Sequence, residues 1–155
     1  MKVLIQKVKS ASVLVQGEVV GSIGKGLLLF LGIEKSDTGE ESDYLVNKIK
    51  DLRIFENAEN KFDQSIQDVG GELLVISQFT LCGSCERGRR PDFFGAAEPF
   101  RAKQIYDEFV NKLIATGLKV EQGKFGEYMQ VKLENDGPVT FMLERRGTPV
   151  GENKQ

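Results

Sequence analysis

The sequence predicts an α+β protein in which a small antiparallel, barrel-like β-sheet is flanked by two helices. Two segments place apolar residues at helical spacing, and about seven shorter segments show the alternation or the compact apolar runs of strands. The strict strand–helix–strand alternation of a doubly wound sheet is missing. We place a single domain at residues 1–145 of the 155-residue chain and a flexible tail at 146–155.

The first strands lie in the amino-terminal third. Loose alternation around residues 3–7 and 12–16 predicts two strands, and Gly17-Glu18 offers a turn to a third strand. The uninterrupted apolar run 27–33 is typical of a strand that is buried on both faces. The glycines within 21–26 do not have Walker spacing and precede a strand, so we interpret them as a glycine-rich hairpin rather than a phosphate loop.

Two segments predict helices. Apolar residues recur at helical spacing between residues 44 and 52, after an acidic first turn at Glu40 and Glu41. They recur again between residues 100 and 114, where Pro99 suits the first turn and Gly117 suits the end of the helix.

The remaining strands are predicted at residues 72–81, 118–120, 128–133 and 139–143. The first of these ends in the polar residues of Ser77-Gln78-Phe79-Thr80, and the end of a rigid strand can aim side chains into a cleft. A tight turn at Asn135-Asp136-Gly137-Pro138 is predicted to join the last two strands.

The chain contains no histidine, which excludes many kinds of catalytic site. A Ser-His-Asp or Cys-His nucleophile system cannot be assembled, nor can a zinc site that depends on histidine. Acid–base chemistry near pH 7 would have to use a shifted carboxylate, a thiol, a lysine, the substrate or water.

The net charge of -2 gives no general attraction to nucleic acid, so an anionic partner would need a local basic patch. Arg87, Arg89 and Arg90 form the strongest basic cluster, which suits either a solvated loop or contacts with phosphate. No signal peptide is apparent, and the longest apolar run is too short to cross a bilayer. We therefore predict a cytoplasmic protein with no membrane partner. Cys82 and Cys85 have C-x-x-C spacing, which we interpret as structural or incidental.

Two motifs together resemble the hallmarks of the D-aminoacyl-tRNA deacylase family of bacteria and eukaryotes. They are Ser77-Gln78-Phe79-Thr80-Leu81 and Asn135-Asp136-Gly137-Pro138-Val139-Thr140, and supporting similarity runs from residue 5 to residue 143. The resemblance implies a small β-barrel-like fold and a homodimer whose site lies at the interface. It also implies hydrolysis of the ester between a D-amino acid and tRNA, without a cofactor or a metal.

The resemblance also assigns roles to individual residues. It implies that Ser77, Gln78, Phe79 and Thr80 form the catalytic motif, with backbone N–H groups near Phe79 and Thr80 holding the oxyanion and the ribose 2′-OH assisting. The residues that it implies for substrate binding and chiral selectivity are Gly137, Pro138, Val139, Met129 and Phe125. We expect Arg87, Arg89 and Arg90 to contact tRNA.

A cis Gly137-Pro138 bond that reaches into the partner subunit is a further implication. Its carbonyls would fix the substrate amino group, so that an L side chain meets protein and a D side chain meets open space. Glycine has no side chain to clash, so glycyl-tRNA mischarged on tRNA(Ala) would also be a substrate.

Two other hypotheses remain open from the residues. Thr80 could be the nucleophile of a small-molecule esterase or amidase, although no residue is an obvious base for it. The chain could instead be a non-catalytic RNA-binding barrel that uses the basic loop. Phe62, Asp63, Cys82 and Cys85 depart from the usual family pattern, which bears on loop packing and redox sensitivity rather than on the reaction.

Overall fold

The sheet is built around one long strand, β1. The computed structural model describes residues 1–147, so most of the predicted tail lies outside the described residues. The elements are β1 (Lys2–Val15), β2 (Glu18–Ile23), β3 (Gly26–Gly32), α1 (Glu40–Asp51), β4 (Phe55–Glu56), β5 (Phe62–Gln64), β6 (Glu72–Ser77), a 3₁₀ helix (Phe79–Cys82), α2 (Pro99–Ala115), β7 (Lys119–Gln122) and β8 (Gln130–Glu144).

Both edges of β1 are occupied. One edge pairs with β8 along almost its whole length, and the other pairs with β3 over the first half of β1 and with β2 over the second half. These three pairings are antiparallel, whereas β6 joins β3 in parallel and β7 joins β6 in parallel. The predicted α+β class with a barrel-like sheet and two helices is confirmed, and the parallel pairs at β6 make the sheet mixed.

The predicted division of the first strands was wrong in two places. Residues 3–7 and 12–15 belong to the single strand β1, because partners on both edges support an extended chain, and Gln16 begins the turn to β2. The expected hairpin within 21–26 is also absent from the described chain. The strands β2 and β3 lie end to end along the same edge of β1, and Gly24 lies at the bend between them.

Two expectations about the later strands were also wrong. Residues 79–82 leave the sheet as a 3₁₀ helix, so β6 ends at Ser77 rather than at residue 81. The segments 128–133 and 139–143 are not joined by a tight turn, because both halves of β8 pair antiparallel with β1, and the register shifts between them. Residues 136–139 instead form a bulge opposite Lys7, between the pairs Gln6–Thr140 and Val8–Asn135.

The two helices form as predicted and cover one face of the sheet. Their apolar side chains join the larger core cluster together with Leu27, Leu29 and Leu31 of β3. The intervening Leu28 lies in a second cluster on the other face, among residues of β1 and β6. The prediction that the run 27–33 is buried on both faces is therefore confirmed, because successive side chains of a strand point to opposite faces.

The Met1 ammonium group is buried at the edge of this core. It donates hydrogen bonds to the Glu34 carboxylate at 3.0 Å, the Asp37 carboxylate at 2.8 Å and the Arg145 carbonyl at 2.8 Å. Burial raises the pKa of Asp37, although the hydrogen bonds from the ammonium group and from the Glu34 N–H oppose that rise. The contacts link the start of β1, the end of β3 and the residue that follows β8.

Gly26 provides a test of the parallel pairing. A Cβ atom at this position would lie 1.8 Å from the Glu72 carbonyl oxygen, so Gly26→Ala forces β3 and β6 apart. We expect a loss of about 3 kcal/mol in the free energy of unfolding, measured by urea denaturation. Gly24→Ala is the matched control, because nothing lies within 4 Å of its Cβ position, and its effect should stay below about 0.5 kcal/mol. Equal urea midpoints for Gly26→Ala and Gly24→Ala would show that the close contact between β3 and β6 does not require glycine.

Candidate active site

An apolar cleft of about 340 Å³ lies where β3 and β6 end, against the first turns of α2. Parallel pairing sets Leu31 beside Ser77, so the carboxyl ends of both strands open at one edge of the sheet. The cleft is lined by Leu31, Ile33, Ser77, Gln78, Phe79, Ala97, Pro99, Ala102, Phe125 and Gly126. None of these side chains is ionisable, so the lining offers no general base.

The backbone at Ser77-Gln78-Phe79-Thr80 changes direction at the mouth of the cleft. The Gln78 N–H still donates to the Leu31 carbonyl at 2.8 Å, and the 3₁₀ helix follows immediately. Its first internal hydrogen bond runs from the Leu81 N–H to the Gln78 carbonyl at 3.2 Å. The Phe79 and Thr80 N–H groups therefore have no acceptor within the helix, which leaves two adjacent backbone donors at this edge.

Gly32 allows the 3₁₀ helix to pack directly onto the end of β3. A Cβ atom there would lie 2.9 Å from Leu81 Cβ and 3.2 Å from the Gln78 carbonyl oxygen. A larger residue would push the 3₁₀ helix away from the strand. The close approach therefore fixes the position of the two free N–H groups relative to the cleft.

Thr80 is not placed as an activated nucleophile. Its hydroxyl oxygen accepts a hydrogen bond from the Gln78 side-chain amide, and it lies beside Leu4, Phe30 and Leu81 rather than in the apolar cleft. An amide N–H donor cannot remove the hydroxyl proton. The geometry therefore favours backbone donors over a threonine nucleophile.

Phe125 forms one wall of the cleft and is supported from behind by Tyr106. The two ring centroids are 5.6 Å apart, and the Tyr106 hydroxyl donates to the Val75 carbonyl at 3.0 Å. Burial raises the pKa of Tyr106, so this hydroxyl remains a donor at neutral pH. Met129, which is predicted to bind substrate together with Phe125, packs against the second core cluster.

Gly137 and Pro138 lie in the exposed bulge of β8, and the peptide bond between them is cis. The Asn135 side chain closes the bulge, because its oxygen accepts from the Val139 N–H at 2.8 Å and its amide donates to the Val139 carbonyl at 3.3 Å. The Val139 side chain is buried within the chain. The bulge is thus held at its base while Gly137 and Pro138 remain accessible.

The bulge and the cleft do not meet within one chain. The bulge lies opposite Lys7, which pairs with Leu27, whereas the cleft begins at the pair Leu31–Ser77. The four-residue step from Leu27 to Leu31 along β3 corresponds to roughly 13 Å between the level of the bulge and the start of the cleft. The sheet order also places β1 and β3 between β8 and β6. The two halves of the predicted site are therefore separate within one chain.

The predicted basic cluster lies on an exposed loop beside the cleft. Ser84 and Asp92 exchange two backbone hydrogen bonds of 2.9 Å, so the loop that contains Arg87, Arg89 and Arg90 has a fixed base. Cys82 and Cys85 are both free thiols. Burial raises the pKa of the Cys82 thiol, which lowers its reactivity.

Sequence reasoning missed most of the cleft wall and the supports of the bulge. The small or aliphatic side chains of Ile33, Ala97 and Ala102 have the composition of any core, so no sequence signal separates them. A sequence signal did exist for Lys7, because it follows Val3 and Ile5 at every second position of the strand. In the structure its side chain is buried, and its Nζ atom lies 3.9 Å from a Glu56 carboxylate oxygen.

Within residues 1–147, potential metal ligands do not gather in groups of three or more. The same part of the chain has no helix with the length and apolar character that spanning a membrane would require.

Comparison with known proteins identifies close relatives over nearly the whole chain. A model of the D-Tyr-tRNA(Tyr) deacylase family matches residues 4–144. A protein of Aquifex aeolicus named D-aminoacyl-tRNA deacylase is 53% identical over 146 residues, which cover 94% of this chain and 99% of the relative. A protein of the same name from Desulfatibacillum aliphaticivorans is 52% identical over 94% of this chain and 100% of its own.

Two solved structures share the fold. One, described as a c-Myc DNA Unwinding Element Binding Protein, is 42% identical with a TM-score of 0.88 and covers 95% of this chain and 100% of its own. The other, described as a probable eukaryotic D-amino acid tRNA deacylase, is 20% identical with a TM-score of 0.81 and covers 92% of this chain and 97% of its own.

Proposed function

The chain belongs to the D-Tyr-tRNA(Tyr) deacylase family, and we propose that it hydrolyses the ester bond between a D-amino acid and the terminal ribose of tRNA. The products are a free D-amino acid and tRNA. The observation that supports this reaction best is the cleft at the ends of β3 and β6. Its lining has no ionisable group, and at its mouth the backbone N–H groups of Phe79 and Thr80 have no acceptor among residues 1–147. Aminoacyl-tRNA is made where translation takes place, so we place the activity in the cytoplasm.

The reaction needs little acid–base help from the chain, because an aminoacyl ester is already activated. Water attacks the ester carbonyl carbon, and the carbonyl oxygen becomes an oxyanion that the Phe79 and Thr80 N–H groups stabilise. The bond to the ribose oxygen then breaks, and that oxygen takes a proton as it leaves. The neighbouring ribose 2′-OH relays the proton from water, so the substrate supplies the group that the lining lacks.

Chiral selection requires a second copy of the chain. We propose that the Gly137-Pro138 bulge enters the cleft of a partner subunit, since it lies far from the cleft of its own subunit. The exposed apolar side chains of Leu133, Phe141 and Met142 on β8 support a contact between copies.

The partner's bulge would sort substrates by shape. The Gly137 and Pro138 carbonyls accept hydrogen bonds from the substrate ammonium group and fix its α-carbon. An L side chain would then point into protein and be rejected by the clash, whereas a D side chain points to the opening. Glycine has no side chain to clash, so glycyl-tRNA mischarged on tRNA(Ala) is expected to react as well.

Direct hydrolysis assays test the proposed function. Purified protein should release tyrosine from D-Tyr-tRNA at least about 100-fold faster than from L-Tyr-tRNA, because a steric clash of a few kcal/mol changes a rate by this factor. Comparable rates for the two substrates, or no hydrolysis of either, would refute the proposal. Turnover of D-Tyr-tRNA would also exclude a non-catalytic RNA-binding barrel.

Thr80→Ala separates backbone catalysis from a threonine nucleophile. The substitution removes the hydroxyl and its hydrogen bond to Gln78 but keeps the N–H donor, so we expect kcat on D-Tyr-tRNA to fall by less than about tenfold. If Thr80 were the nucleophile, the substitution would lower kcat by roughly 10³-fold or more and leave substrate binding intact. Single-turnover hydrolysis measures the difference, and the larger loss would restore the threonine-dependent esterase hypothesis.

Pro138→Ala tests the chirality gate. We expect the ratio of D-Tyr-tRNA to L-Tyr-tRNA hydrolysis to fall by about tenfold or more, while the rate on D-Tyr-tRNA changes less, because the residue excludes the wrong substrate. Analytical ultracentrifugation should show the same oligomeric state for the variant and the wild type. Gly24→Ala, whose Cβ position is open, should keep the original ratio. An unchanged ratio in Pro138→Ala would show that the steric account is wrong.

A further inference from the structure

The mouth of the cleft exposes a group of aromatic side chains that the proposed chemistry does not use. Phe79 lines the cleft and is 59% exposed, and its ring centroid lies 5.0 Å from that of Phe93 at an interplanar angle of 62°. The next residue, Phe94, is 78% exposed. Burying an aromatic ring is favourable because its apolar area is large. Clusters of aromatic rings that stay exposed are therefore a feature of recognition sites.

Hydrogen bonds on both sides of Phe94 anchor its backbone. On its amino-terminal side, the backbone of Asp92 is paired with that of Ser84, and the Asp92 carboxylate accepts from the Phe94 N–H at 3.4 Å. On its other side, the Gly95 carbonyl accepts from the Lys35 N–H at 3.0 Å. The ring is therefore presented from an anchored segment, only three residues before Ala97 in the cleft wall.

The same loop has a positive tip. Arg87, Arg89 and Arg90 lie between the paired residues Ser84 and Asp92, and all three are exposed. Among residues 1–147, none of the three guanidinium groups takes part in a salt bridge. Arginines without a salt bridge, on a loop that ends at Asp92 just before Phe93 and Phe94, suit single-stranded nucleic acid, in which bases stack on aromatic rings and phosphates contact cations.

We propose that Phe94 is a stacking platform for an unpaired base of the RNA substrate, next to the nucleotide whose ester enters the cleft. Arg87, Arg89 and Arg90 contact the phosphates of the same single-stranded segment. The assignment rests on the proposed function and extends it, because it names the part of the tRNA that the protein holds outside the cleft. Stacking tolerates any base, so one enzyme can accept many tRNAs by their shared unpaired end.

Two substrates of different length test this platform. One is D-Tyr-tRNA, and the other is the D-tyrosyl ester of adenosine, which fills the cleft but has no further nucleotides. Phe94→Ala should raise KM for D-Tyr-tRNA by about tenfold and leave KM for the adenosine ester within about twofold, since only the longer substrate reaches the ring. Phe94→Trp keeps a stacking surface and should retain the wild-type KM, whereas Phe94→Leu keeps apolar bulk alone and should behave like Phe94→Ala.

Ile114→Ala is the matched control. Ile114 is also an exposed apolar residue but lies near the far end of α2, roughly 22 Å along the helix from Pro99 at the cleft. It should change neither KM. Equal effects of Phe94→Ala on both substrates, no effect on either, or wild-type behaviour of Phe94→Leu would each overturn the proposal. Dissociation of the protein into smaller species on Phe94→Ala, seen by analytical ultracentrifugation, would also overturn it, because the ring would then belong to a contact between copies.

A binding experiment keeps this inference separate from the reaction. Fluorescence anisotropy compares uncharged tRNA with the same tRNA trimmed of its unpaired 3′ nucleotides. Phe94→Ala should weaken binding of the intact tRNA by about tenfold and leave binding of the trimmed tRNA unchanged. The measurement needs no turnover, so it decides the role of Phe94 even if D-Tyr-tRNA is not hydrolysed. Equal affinities of wild type and variant for intact tRNA would refute the stacking role.

Discussion

Parallel pairing of β3 with β6 is the contact on which the site depends. The two strands lie side by side from Gly26–Glu72 to Leu31–Ser77, with apolar side chains buried on both faces. Such burial is favourable only when helices or other strands cover each face, and α1, α2 and β1 provide that cover. Because both strands run in the same direction, their carboxyl ends open together, and the cleft forms at that edge.

The cleft shows how an enzyme of this kind could work without histidine. Its lining has no ionisable side chain, and the sharp change from β6 to the 3₁₀ helix leaves the Phe79 and Thr80 N–H groups at its mouth without a backbone acceptor among residues 1–147. Backbone donors are fixed by the fold and cost no reorganisation when negative charge develops on a substrate. An activated ester with its own neighbouring hydroxyl suits such a site, whereas a stable amide would need a stronger nucleophile or base.

Because the bulge is separate from the cleft, the proposed selection of substrates by chirality needs two copies of the chain. Gly137 and Pro138 are held at their base by Asn135, but they lie opposite Lys7, two strands and about four residues of strand away from the pair Leu31–Ser77. In the proposed dimer, each subunit would contribute the catalytic edge of one site and the gate of the other. The two sides of each cleft would then differ in function. The partner's Gly137-Pro138 bulge would select the amino acid, and Phe94 with the nearby arginine loop would bind the RNA.

The sequence alone determined the fold class, both helices, the doubly buried β3 and the two motifs, because apolar periodicity and rare residue combinations are local properties. It also led to the deacylase family, through Ser77-Gln78-Phe79-Thr80 and Gly137-Pro138. The tertiary structure decided what local signals could not. It joined the predicted strands of β1 and of β8, because pairing along both edges of β1 overrides local turn preferences. It ended β6 at Ser77, because Gly32 lets the following 3₁₀ helix pack onto β3. It also set the two motifs apart within one chain, because their distance depends on strand register, which no single segment encodes.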